Sequence, residues 1–340
     1  MPQKKRRKSY KIRIVSIITV AVVFTVILSL VITNLFIPVK YLFSYLIFSK
    51  NVNPAGQMRL NFVDVGNSDC TIIELPDGKV LLIDGGDGTY SHNLKLFKEL
   101  NSRGVDKIDY LVLSSVENGA AGGLAEILTY KTVDRIFAPY CPITYISDGY
   151  KNFCEKLEKD GRAVEICEYG AGVFNDEAGY YFCFLSPDIH TAEGGEYDGL
   201  LENPSTENIK NASAVIWLEY DGVAFMFLGG TSRAVQEKIL KNAELGAMEI
   251  NGRTIDLTSC TVLKLSDHGS AEGAFAPLSD FLSPKAAIIS VGENGTGCPS
   301  LAALSNAQNV VGSQIYRTDE CGTVTITVNG GNYEILKEKQ

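Results

Sequence analysis

Residues 108–124 read IDYLVLSSVENGAAGGL, and the reading of this stretch decides the fold. Asp109 to Ser115 (DYLVLSS) is an apolar run of strand length with no polar alternation, as expected of a strand buried on both faces. The polar residues Ser114, Ser115, Glu117 and Asn118 follow it, and Ala121 to Tyr130 then has the spacing of a helix. A buried strand thus delivers a polar loop onto a helix. Working outward, residues 61–74 (NFVDVGNSDCTIIE) and 81–86 (LLIDGG) flank Pro76-Asp77-Gly78, the signature of paired strands closed by a turn. Arg59 to Val65 alternates as a strand, and the helix Asn93 to Leu100 leads into the buried one.

Downstream the pattern continues to alternate. Arg135 to Tyr140 reads as strand, Tyr150 to Lys159 as helix, and AVEICEY and YYFCFLS as strands. A Gly- and Glu-rich run from Thr191 to Ser205 reads as an exposed insertion. The hairpin SAVIWLEY-DG-VAFMFLG follows, then the helix Arg233 to Asn242, the buried strand CTVLKLS, the helix Pro277 to Leu282, the strand KAAIISVG and the helix Ser300 to Gln308. The chain returns to strand with GTVTITV and NYEIL. Two strand-rich halves, each finished by helices, make the fold class α/β (α+β), with two packed sheets and helices outside. No internal repeat of fixed period is present.

The amino terminus is of another kind. From Ile14 to Val39 there are 26 positions without a charge, enough to cross a bilayer as a helix. Basic residues cluster before it, so the positive-inside rule places residues 1–13 in the cytoplasm, 14–37 as a transmembrane signal anchor, 38–57 as a juxtamembrane linker and 58–340 as an extracytoplasmic domain. A cleaved signal peptide is the competing reading; the run exceeds a signal core, and no small-x-small site precedes Lys40. Pro38, Tyr41, Phe43, Tyr45 and Phe48 suit an interfacial stretch or a short helix packed on the domain. The first 50 residues hold nine of the 31 basic residues and no acid, which leaves the rest with 22 positive against 40 negative charges, net −18. Such a surface repels a polyanion, so nucleic acid is not an expected partner of this domain. Eight cysteines at irregular spacing, in a chain long enough to build its own core, suit buried thiols with at most one bridge.

Five stretches in register carry a resemblance: residues 61–74 with 81–86, 108–124, 211–230 (NASAVIWLEYDGVAFMFLGG), 261–270 (TVLKLSDHGS) with 286–295 (AAIISVGENG), and 315–326 (IYRTDECGTVTI). Together they resemble the metallo-β-lactamase superfamily, and within it the soluble hydrolase-like domain of the ComEC family of DNA-uptake channels. The resemblance implies an αββα sandwich with site loops along one edge of the two sheets. It also implies a motif of the form H-x-[HD]-x-D-H after the central strand, whose imidazoles and carboxylates hold one or two metal ions that acidify a bound water. Here the matched positions read Ser115, Glu117, Gly119 and Ala120, with Gly122-Gly123 keeping the register. The later Asp falls on Thr231, the His-His pair reads Asp267-His268, and a downstream His reads Cys298. The whole chain has three histidines, His92, His190 and His268.

The scaffold is retained while the donor atoms are replaced, and this sets the functional expectation. No metal or other cofactor is expected; the alternative is one zinc or manganese ion rebuilt on Glu117, Asp267, His268 and Cys298, with Asp84 nearby. Asp64, Asp69 and Asp84 sit at strand ends near Gly, where carboxylates hold turns, and His268 is expected to bond neighbouring loop backbone. Ser114 and Ser115 have no His placed to activate them. Asn211-x-Ser213 and Asn294-x-Thr296 fit the glycosylation pattern but are expected to serve turns, and the Gly-Gly pairs at 85, 122 and 229 are no dinucleotide fingerprint. The expected function is a membrane-anchored pseudoenzyme, a binding or scaffolding module for a protein or cell-envelope partner. The alternative is a phosphodiester or ester hydrolase with a reduced site.

Overall fold

The structure is a computed structural model that describes residues 3–33, 41, 50–141, 146–188, 205–246, 248–312 and 314–339. Residues 191–204 of the expected insertion, His190, and Pro38, Phe43, Tyr45 and Phe48 of the expected interfacial stretch lie outside the described residues. The chain divides into two compact units, residues 1–46 and 47–340. The described residues of the first include the helix Gln3–Thr33, whose segment Val15–Ile32 is uncharged, unburied, and long and apolar enough to cross a membrane.

The described residues of the second unit form 17 strands. They are β1 (Met58–Phe62), β2 (Thr71–Glu74), β3 (Val80–Ile83), β4 (Lys107–Val112), β5 (Thr132–Ala138), β6 (Glu165–Ile166), β7 (Gly172–Asn175), β8 (Tyr180–Ser186), β9 (Val215–Tyr220), β10 (Val223–Phe227), β11 (Met248–Ile250), β12 (Arg253–Ile255), β13 (Cys260–Lys264), β14 (Ala286–Ile289), β15 (Ile315–Arg317), β16 (Val324–Asn329) and β17 (Asn332–Lys337). One sheet has the order β17-β16-β1-β2-β3-β4-β5-β6, the second β15-β14-β13-β10-β9-β8-β7, and β11-β12 form a separate ribbon.

Alternation along each strand builds the layers. On β8, Phe182 and Phe184 join Leu60, Phe62, Ile83 and Val112 of the first sheet in the inter-sheet core, with Phe137 in edge contact with Phe182. Their neighbours Tyr181, Cys183 and Leu185 face the other way, onto a layer closed by Val235 and Ile239, Leu278 and Leu282, and Ala307 of three helices. The helices Tyr90–Ser102, Leu124–Tyr130 and Asp148–Asp160 each bury an apolar stripe, through Leu96, Phe97 and Leu100, Ile127 and Leu128, and Phe153 and Leu157. The result is the αββα sandwich of metallo-β-lactamase type that the sequence implies.

Several expectations change. The AVEICEY segment yields only the two-residue β6, whose parallel pairing with β5 ends at the bond from Cys167 N–H to Ala138 O. The 121–130 helix is two helices, Asn118–Ala121 and Leu124–Tyr130, divided at Gly122-Gly123. Strands β7, β11, β12 and β15 were not foreseen: each is short, and none shows the long alternation that reveals a strand in sequence. The last linker residues are tied to the domain, with Asn51 N–H donating to Ser102 O (2.7 Å) and Arg59 Nη2 donating to Asn51 O (2.6 Å). All eight cysteines are free thiols, six of them buried, so the allowance for one bridge is not taken up.

Candidate functional site

Strands β3, β4 and β5 run parallel, as do β10, β13, β14 and β15, so both sheets deliver their carboxyl ends to one edge. Ligands commonly bind where parallel strands end, because irregular loops there carry side chains on a rigid base. A pocket of about 570 Å³ opens at this edge. Ser115, Glu117, Gly119 and Ala120 from the loop after β4, Asp267 and His268 from the loop after β13, and Cys298 all line it. The structure therefore brings these matched positions together at one pocket. Two predicted positions sit elsewhere: Thr231 is fully buried with its hydroxyl donating to Leu228 O (2.6 Å), and Asp84 is buried beneath the loop.

Asp84 accepts from the N–H (2.7 Å) and the hydroxyl (2.6 Å) of Ser114, which fixes the point where β4 enters the loop. Burial, together with the neighbouring Asp69 charge, pushes the Asp84 carboxyl up to about 7. Asp69 is also buried, and its Oδ1 lies 2.5 Å from Lys264 Nζ at the end of β13. Neither of these two atoms has a hydrogen-bond partner besides the ion pair. His268 Nδ1 is 3.0 Å from Ser290 O and 3.9 Å from Asp69 Oδ2, so the imidazole is oriented by loop backbone, as expected. Asp64 pairs with Lys95 and Lys339, and Asn294 ties its own loop through Gly292 and Cys298.

Around the mouth, Lys210 Nζ is 2.6 Å from Asp267 Oδ2 and 3.6 Å from Glu272. Burial, the largest single effect, raises the Asp267 carboxyl, but the hydrogen bonds from Lys210 and Ser270 and the favourable charges of Lys210 and His268 together outweigh it and hold the group below its ordinary value. Glu117 is raised, by burial first and by Asp267 second; its Oε2 has the Ser115 hydroxyl only at a long 3.4 Å. Sequence reasoning missed Lys210, Lys264 and Asn67. A lysine inside the buried run CTVLKLS was a readable signal, because an apolar strand tolerates a charge only when it is paired. Lys210, one residue before a motif, carried none.

The residues at the matched positions do not fit a catalytic metal. Gly119 and Ala120 offer no donor atom. A Cβ built on Gly119 would stand 3.6 Å from His268 Nε2, so a donor side chain there has room, and glycine leaves that room unused. His268 spends Nδ1 on Ser290 O, and Asp267 spends a carboxylate oxygen on Lys210. Among the described residues, no three His, Cys, Asp or Glu side chains lie close enough to share an ion, and this includes the set Glu117, Asp267, His268, Cys298 and Asp84.

No family model matches the sequence. ComE operon protein 3 of Bacillus subtilis (strain 168) is 23% identical over 286 residues, which cover 79% of this chain and 33% of that protein, so the chain spans about a third of its relative's length. Among solved structures, the metallo-β-lactamase fold protein YhfI from Bacillus subtilis superposes with a TM-score of 0.48 at 10% identity, covering 82% of this chain and 99% of YhfI. The metallo hydrolase Igni18 from Ignicoccus hospitalis gives 0.44 at 13% identity, covering 80% of this chain and 99% of Igni18. By its own architecture and its sequence likeness, the chain is a metallo-β-lactamase-like sandwich similar to part of ComE operon protein 3.

Proposed function

We propose that this chain is a membrane-anchored, extracytoplasmic module of metallo-β-lactamase-like fold that works by binding rather than by metal-dependent hydrolysis. The observation that carries the reading is the pocket at the strand ends, whose lining keeps the scaffold positions but replaces the metal donors at 115, 119 and 120 by hydroxymethyl, hydrogen and methyl groups. The net −18 beyond residue 50 suits cationic peptides, cell-wall amines or a partner protein with a basic face, and opposes nucleic acid. The apolar helix Val15–Ile32, left uncleaved, would tether the module with its amino terminus inside. The test is elemental analysis of the purified full chain together with a phosphodiester and ester panel in added Mn²⁺ and Zn²⁺. Sub-stoichiometric zinc, manganese and iron with no turnover is expected; stoichiometric metal with chelator-sensitive turnover would overturn the reading. A reagent that labels only external protein should reach the domain while the chain stays with the membrane after alkaline washing, and release of a shortened chain would sink the anchor.

A second reading has its own observation, since Glu117, Asp267 and His268 do line one pocket. As a reduced-site hydrolase, the protein would lose all turnover on His268→Ala. Absence of any substrate in the same panel refutes it.

A further inference from the structure

We infer that the Lys210 ammonium is the resident cation of this pocket, seated among the positions where the resembled hydrolases carry metal ligands. Lys210 comes from the helix Thr206–Asn211 and lines the same pocket as Glu117, Gly119, Asp267 and His268. Its side chain is 12% exposed, and that of its partner Asp267 is 19% exposed, so the 2.6 Å contact is sheltered rather than a surface pair. The chain spends backbone strain on this contact. Asp267 and His268 are successive non-glycine residues at φ 48° and 55°, a left-handed conformation that ordinary residues avoid. Asp267 N–H donates to Gly229 O (2.9 Å), which pins the bent loop with the carboxylate turned to Lys210. The ammonium is also within favourable electrostatic reach of Glu117 and Glu272. It supplies donors and no lone pair, so it satisfies carboxylates without being able to share them with an ion. At the floor, Lys264 holds Asp69 in the same way.

Two pocket-lining carboxylates thus each hold a lysine, and a divalent cation meets fixed positive charge where it would need donors. The inference rests on the metal-free reading above and gives it a cause: the exclusion is built in by Lys210, in addition to the missing imidazoles.

The test uses the full chain in detergent and its thermal midpoint. Lys210→Ala opens a cavity shaped for an alkylammonium and leaves Asp267 without its partner, so its midpoint should fall. Propylammonium chloride should raise that midpoint saturably, and tetramethylammonium chloride, which has no N–H donor, should not. Wild type should respond to neither amine nor to MnCl₂. If propylammonium gives Lys210→Ala no shift beyond that of tetramethylammonium, the inference fails while the metal-free reading stands. Stoichiometric Mn²⁺ or Zn²⁺ on the wild type overturns both. Should Lys210→Ala not fold, the variant Lys210→Ala/Asp267→Ala, which removes the stranded carboxylate, is expected to recover the wild-type circular dichroism; failure to recover also overturns the inference.

Discussion

Replacing Lys264 by methionine shortens the unbranched side chain by one heavy atom and removes the charge beneath the pocket. In the folded protein Lys264 is 4% exposed and Asp69 6%, and their two closest atoms, 2.5 Å apart, have no other hydrogen-bond partner. Lys264→Met therefore leaves a buried carboxylate uncompensated, a change that typically costs about 3–5 kcal/mol. At about 2 °C per kcal/mol for a domain of this size, the midpoint should fall by roughly 6–10 °C. Asp69→Asn strands the ammonium instead, but the two losses are not symmetric. Asp84 is held up to about 7 partly by the Asp69 charge, so once that charge is gone Asp84 ionises more readily and takes over as the counter-ion. Asp69→Asn should accordingly cost less than Lys264→Met, and the double variant less than the sum of the two. Urea denaturation of the three variants at neutral pH measures all of this. A loss below about 1 kcal/mol for Lys264→Met, or an equal loss for Asp69→Asn, would refute the reasoning.

Three further outcomes follow from the geometry. Because the Asp84 carboxyl is raised in the folded state from 3.8 to about 7, its contribution to stability is fully present below pH about 4 and is lost as pH rises to about 7; Asp84→Asn should remove that slope, at most about 1.4 kcal/mol per pH unit, when denaturation is followed across this window. Gly122→Ala should be severely destabilising, by more than about 3 kcal/mol, because the new Cβ would stand 2.2 Å from the Asp87 carbonyl carbon, whereas Gly119→Ala meets nothing nearer than 3.6 Å and should cost under about 1 kcal/mol in the same assay. Ser147 caps the helix Asp148–Asp160 by accepting from Tyr150 N–H, so Ser147→Ala should cost about 1 kcal/mol, and an unchanged thermal midpoint would show the cap to be idle.

Much of the sandwich was legible because its central strands are buried on both sides. VAFMFLG is an unbroken apolar run, and DYLVLSS and CTVLKLS each centre on consecutive apolar residues, Tyr110 to Leu113 and Val262 to Leu263, as buried strands do. What stayed hidden was decided by contacts distant in sequence. β15 is three half-buried residues that become a strand only because β14 offers a parallel edge, and β6 exists only by pairing with Ala138 and Phe137. In the site, the matched positions Ser115, Glu117, Gly119, Ala120, Asp267, His268 and Cys298 come together at one pocket, since register along the chain places loops. It could not reveal Lys210, because the Asp267 contact depends on how a helix from another part of the chain is laid across the edge.

The same loop shows why scaffold and donors part company. Gly122 lies against Asp87 and Gly88 backbone, Gly123 against Gly85 O, and Gly149 against Gly122, so a methyl group at any of the three collides with main chain. These glycines are fixed by packing whether or not a metal is bound. Three residues earlier, a Cβ at 119 would meet only ordinary contacts, the nearest His268 Nε2 at 3.6 Å, and Ser115, Gly119 and Ala120 all line the pocket, so main-chain packing does not dictate a glycine at 119. Under the proposed binding role, the first group would still be held by packing, while the second would be free to change. The Gly-Gly register is therefore a statement about the fold alone, and under the proposed reading it is the side chains at 115 and 120 that bear on function.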